Sequence, residues 1–142
     1  MKTNNDYWTT SVFRIMSKKR SVEDICSKID IKTTSFHSKG ELCSKRNPNS
    51  QIRDVNSCIY ESPVGENESL NTHIEYILSF LKRNSKGLSE LQPDCEFDIM
   101  CAYSSESGQG GFMLDHKILK ELTKYPVDLL VNLYCYDEKD DE

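Results

Sequence analysis

The apolar residues of this chain change period several times, and that switching limits the possible folds more than any other property of the sequence. Residues 96–104 alternate, with Phe97, Ile99, Cys101 and Tyr103 on one face. Residues 127–136 do the same through Val127, Leu129, Val131, Leu133 and Cys135. A period of two belongs to a half-buried strand. Three other stretches repeat at helical spacing: Val22, Ile25, Cys26 and Ile29; then Leu70, Ile74, Ile77, Leu78 and Leu81; then Ile118, Leu119 and Leu122. Each marks one apolar helix face that must be buried against another element. An all-helical bundle, an all-β sandwich and a dinucleotide-binding sheet all fit this mixture poorly.

Local signals set the boundaries. Ser21 reads as an N-cap with Asp24 three residues later, and Asp115 caps the third helical stretch. Gly87 reads as a helix stop, with Leu88 and Leu91 forming a last turn before Pro93, and Pro126 ends the third helix. Helices are thus expected near 21–29, 69–83 and 115–125. Further strands are expected at 12–16, from 31 to 36, and at 58–61. The turn Gly108-Gln109-Gly110-Gly111 is read as sending residues 111–114 back as a hairpin partner of 96–104. Residues 37–56 are polar and rich in Ser, Asn, Lys and Arg, a long surface loop expected to be mobile. The predicted order is βαββαββαβ: one α+β domain over 1–142, with a core at about 8–136 and an acidic tail at 137–142. Its six strands form a single antiparallel-rich, mixed sheet with three helices packed on one side.

Charge is divided unevenly. Residues 1–71 carry 11 Lys/Arg against 9 Asp/Glu, and residues 72–142 carry 7 against 14. Nucleic-acid binding needs clustered Lys and Arg, and Lys18-Lys19-Arg20 is the only dense basic run. No apolar stretch approaches the ~20 residues that span a bilayer. Residues 1–6 lead into no apolar signal core, so the expected location is the cytoplasm.

The chemistry-bearing residues are scattered. The six cysteines, Cys26, Cys43, Cys58, Cys95, Cys101 and Cys135, include no Cys-x-x-Cys pair. His37, His73 and His116 are far apart, with His73 and His116 both expected on the surface. No metal site and no cofactor are expected, and the thiols should be reduced in the cytoplasm. The glycines at 108–111 lack the Lys-Ser/Thr that ends a phosphate loop. No Ser or Cys stands in a nucleophile-elbow sequence, and the chain reads as a non-enzyme.

Aromatic and acidic residues near the C-terminus carry the remaining signal. Tyr134 and Tyr136 fall on the opposite strand face from Val131 and Leu133, and Tyr7 and Trp8 precede the first expected strand. Such aromatics either cover a second sheet face or anchor a partner. The tail carboxylates, Asp137, Asp140 and Asp141 among them, are either a solvated end or a steering field for a basic protein. Tyr134, Tyr136, Asp137, Asp140 and Asp141 are therefore the candidate partner-binding residues.

The order of several short segments resembles the bacterial domain-of-unknown-function family 4279. The matching pieces are Phe13-Arg14-Ile15, Ser21-Val22-Glu23-Asp24-Ile25, Ile29-Asp30-Ile31-Lys32-Thr33-Thr34 and Lys39-Gly40. They continue through the helix at 70–81, Phe97-Asp98-Ile99-Met100-Cys101, Gly108-Gln109-Gly110-Gly111-Phe112, residues 119–122 and residues 127–134. Cys58 stands where the family tends to place Trp, and the Pro-Thr expected near Thr33-Thr34 is reduced to Thr. The resemblance carries over no catalytic residue. It implies a small protein of the immunity type, one that neutralises a secreted toxin by covering it. The expected partner is a cognate toxin domain, basic at the contact, as in a nuclease; the expected partners include no nucleic acid and no membrane. The alternatives are another cytoplasmic protein- or ligand-binding domain or, less favoured, a small enzyme.

Overall fold

A computed structural model of the chain describes residues 7–105 and 110–135. The elements are β1 (Tyr7–Ser17), α1 (Val22–Ser27), β2 (Ser35–His37), β3 (Asn56–Glu61), α2 (Leu70–Arg83) and α3 (Ser85–Leu91). A short 3-10 helix (Gln92–Asp94), β4 (Glu96–Ser105), α4 (His116–Leu122) and β5 (Val127–Cys135) complete it. The fold is α+β, built on one five-stranded sheet in the order β2-β3-β1-β4-β5. All neighbours are antiparallel except β4 and β5, which run parallel.

The sixth expected strand is absent. Residues 111–114 form no strand, and the reason lies in β4: β1 occupies one of its edges and β5 the other. No edge remains for a hairpin return. The chain instead folds back over the end of the sheet, where Tyr103 Oη donates to the Gly111 carbonyl at 3.1 Å and the Phe112 ring lies 5.5 Å from that of Tyr103. It then passes through α4 and enters β5, the crossover that a parallel pair requires.

β1 is longer than the expected 12–16 and absorbs both Tyr7 and Trp8. Its inward positions include Thr9 and Ser11, polar residues that break the apolar alternation yet are fully buried. Thr9 Oγ1 donates to the Ala102 carbonyl at 2.8 Å, and Ser11 Oγ lies 3.2 Å from Cys101 Sγ. Satisfied hydroxyls can occupy a core position at little cost. Farther along, Phe13 packs with Tyr60, Phe80 and Phe97 in an aromatic cluster beneath α2.

The helical expectations hold in part. Ser21 accepts from the Asp24 N–H and Asp115 from the Ile118 N–H, so both caps form as read. In α2 the buried stripe also takes in His73 and Phe80, while Leu78 is only partly buried. Ile118 is buried in α4, but Leu119 is exposed. Gly87 does not stop a helix; it lies inside α3, a fourth helix. A Cβ there would come 1.9 Å from the Lys28 carbonyl oxygen, so the glycine allows the end of α1 to sit directly on α3. The polar segment at 37–56 has a ladder of its own: Gly40 bonds Arg53, Arg53 bonds Glu41, and Cys43 bonds Gln51 through the backbone.

Candidate functional site

The helices pack on one face of the sheet, over Phe13, Ile15, Cys58, Tyr60, Phe97, Ile99 and Cys101. Alternate residues of the same strands form the other face, which no helix among the described residues covers. The strand registers arrange that face in rows across β1, β4 and β5: Arg14, Asp98 and Asp128; Val12, Met100 and Leu130; Thr10, Ala102 and Asn132; Trp8, Ser104 and Tyr134. On β3, Ile59 stands beside Arg14 and Glu61 beside Val12.

Two features organise this surface. On β1, the middle strand, Arg14 makes a two-pronged pair with Asp98, Nε to Oδ1 at 2.7 Å and Nη2 to Oδ2 at 2.5 Å. The two residues are directly opposite each other in the antiparallel register, which aligns the guanidinium fork with the carboxylate. The hydrogen bond to Asp98 raises the Arg14 pKa above its ordinary value against the opposing effect of burial, so the guanidinium stays charged. Toward one end, Trp8 and Tyr134 meet edge to face, with ring centroids 6.5 Å apart and planes at 73°. Tyr134 is 55% exposed and Leu130 44%.

Glu61, Glu96, Asp98 and Asp128 also belong to this face by register, against Arg14 as the one cation in these strand rows among the described residues. Asp98 is neutralised, which leaves Glu61, Glu96 and Asp128 toward the Arg14 end of the face and the Trp8–Tyr134 pair at the other. Chemically this is an amphipathic contact surface, acidic toward one end and aromatic at the other, and held in register by the sheet. Aromatic anchors ringed by polar groups are the composition of binding hot spots.

Of the residues singled out from sequence, Tyr134 is here and joins Trp8. Tyr136, Asp137, Asp140 and Asp141 lie outside the described residues. Tyr7 points the other way and stacks on Tyr103 at 5.8 Å. Sequence reasoning missed Arg14, Asp98, Met100, Asp128 and Leu130. Their common signal is position: each is an alternate residue of a strand whose other residues are apolar.

His73 departs from the surface position expected of it. It is 0% exposed, and burial pushes its pKa below the ordinary value. Nε2 lies 3.0 Å from the Gly65 carbonyl, which can only accept, so Nε2 carries the proton and Nδ1 accepts from Ser62 Oγ at 3.0 Å. This enclosed histidine ties the loop after β3 to α2. His116, by contrast, is exposed as expected. Among the described residues no group of three or more His, Cys, Asp or Glu side chains could hold a metal ion. No described helix is long and apolar enough to cross a membrane.

The fold and surface together define a small α+β domain with one helix-covered and one open sheet face. The chain belongs to the family described as Domain of unknown function (DUF4279), whose model matches residues 7–136. No curated protein and no solved structure matches it.

Proposed function

We propose that this protein is a bacterial immunity protein that binds a cognate secreted toxin domain in the cytoplasm and neutralises it by occlusion, without catalysis of its own. The observation that carries this reading is the open sheet face, which places Trp8 and Tyr134 at one end, Met100 and Leu130 in the middle, and Glu61, Glu96 and Asp128 toward the other end. A rigid, acidic, aromatic surface suits a basic protein such as a nuclease, whose substrate groove must itself attract phosphates. Carboxylates at the margin speed the encounter, and buried aromatics then slow dissociation.

The test is co-expression with any secreted toxin-like domain encoded in an adjacent reading frame, followed by cell survival and measured affinity. Protection by the unaltered chain is expected. Trp8→Ala and Tyr134→Ala should each weaken binding by ~2 kcal/mol or more. Asp128→Asn should lower the association rate and its salt dependence while leaving dissociation nearly unchanged. An absence of binding and protection would reject the immunity role. Protection that survives Met100→Glu and Tyr134→Ala together would reject this face as the contact.

A further inference from the structure

Two cysteines from different elements meet beneath the sheet edge. Cys26 on α1 and Cys58 on β3 place their Sγ atoms 3.7 Å apart, in direct contact. Cys58 is fully buried, whereas Cys26 is only partly covered. Beside them, Tyr60 Oη is enclosed with no hydrogen-bond partner, and the ionisable groups acting on it are the Cys26 and Cys58 thiols. Burial pushes the Cys58 thiol up, with Cys26 adding to the shift, so Cys58 rests as a thiol.

We infer that Cys26 and Cys58 are a disulfide-forming pair, oxidised by hydroperoxides and reopened by thiols, that staples α1 to β3. Cys26, the less buried of the two, is the entry point. Its thiolate attacks the peroxide oxygen, the O–O bond breaks, and an alcohol or water leaves, giving a sulfenic acid on Cys26. The unpartnered Tyr60 hydroxyl is the hydrogen-bond donor available to that group. Cys58 sulfur then attacks Cys26 sulfur; the S–S bond forms, the S–O bond breaks, and the leaving hydroxide takes the Cys58 proton as water. In balance, two thiols and one hydroperoxide give one disulfide, one alcohol or water from the peroxide, and one water.

Geometry permits the closure. A disulfide needs the sulfurs at ~2.05 Å, a further approach of roughly 1.7 Å. α1 has six residues and only Val22 and Ile25 buried within it, so it can move toward β3 more readily than the longer elements. The closed loop contains β2 and the polar segment at 37–56. The staple would therefore restrain a stretch in which none of residues 31–56 is fully buried.

The experiment uses the full chain carrying Cys43→Ser, which removes an exposed thiol as a source of cross-linked dimers. The protein is treated with hydrogen peroxide, quenched with an alkylating reagent and mapped by peptide mass spectrometry without reduction. A peptide joining Cys26 to Cys58, two hydrogens lighter than the sum of its parts and reversed by dithiothreitol, is the expected result. Cys95→Ser should leave it intact, and Cys26→Ser should abolish it. In Cys58→Ala, a sulfenic-acid probe should label Cys26; mapping of the parent protein decides the matter if that variant does not fold. Full retention of both thiols, stepwise over-oxidation of Cys26 with no linkage, or pairing of Cys26 with Cys95 would each overturn the inference.

Discussion

Replacement of Gly87 by alanine separates local propensity from tertiary packing, because the two predict opposite signs. Gly87 lies inside α3, where alanine should gain ~1 kcal/mol over glycine on propensity alone. The structure opposes this. The new Cβ would stand 1.9 Å from Lys28 O and 3.0 Å from Lys28 C, whereas ordinary contact begins near 3.4 Å. The obstacle is backbone, so it cannot rotate away, and α1 and α3 must separate by over an ångström. Overpacking costs about 1–3 kcal/mol, and a backbone clash belongs at the upper end. The separation would also loosen the neighbouring Asp30 N–H to Asn84 Oδ1 bond of 2.9 Å and the Lys28–Glu90 ion pair. After the propensity gain, the net loss should be ~2 kcal/mol. Urea unfolding followed by circular dichroism should show a lower midpoint at unchanged slope, with a melting temperature roughly 8 °C lower. A midpoint equal to or above that of the parent protein would refute the claim that close approach, rather than helix termination, explains this glycine.

Three further outcomes follow from named contacts. His73→Leu removes both anchors of the loop after β3 and should cost roughly 2–3 kcal/mol in denaturant unfolding. Because the folded-state pKa of His73 is lowered, the unfolded chain binds the proton first as pH falls. The parent protein should therefore keep this stability above about pH 6.5 and lose it as pH drops toward the folded-state pKa, a slope that His73→Leu should flatten. Asp98→Ala strands a partly buried guanidinium and should cost about 1–2 kcal/mol, and an Arg14→Leu/Asp98→Leu pair should recover most of that loss; equilibrium unfolding of the parent protein and these two variants checks it. Ser69 accepts from the Thr72 N–H at 3.2 Å to cap α2, so Ser69→Ala should lower stability by about 1 kcal/mol, read from the urea midpoint.

The parts of the protein whose physics is local are legible from the residues alone. The stripe Leu70, Ile74, Ile77 and Leu81, the caps Ser21 and Asp115, and the inward row Phe97, Ile99, Cys101 and Tyr103 are all present as read. Each depends on residues a few positions apart, where backbone geometry alone fixes which side chains share a face. The family resemblance, carried by the order of such segments, agrees with the match over residues 7–136. Which strands are neighbours depends instead on long-range pairing across the whole sheet. The 96–104 hairpin was locally sound, yet β1 and β5 hold both edges of β4, and nothing in residues 108–114 encodes that competition. The same holds for Thr9, Ser11 and His73: their polarity predicts exposure, but partners at Ala102, Cys101, Ser62 and Gly65 satisfy them inside. The candidate site shows the division most plainly. Tyr134 could be singled out from its strand alone, but its meeting with Trp8, and that of Arg14 with Asp98, require strands 84 or more residues apart to pair in register. That register is set by burying the opposite face of the sheet, so the surface that would bind a partner is fixed by the residues that never touch it.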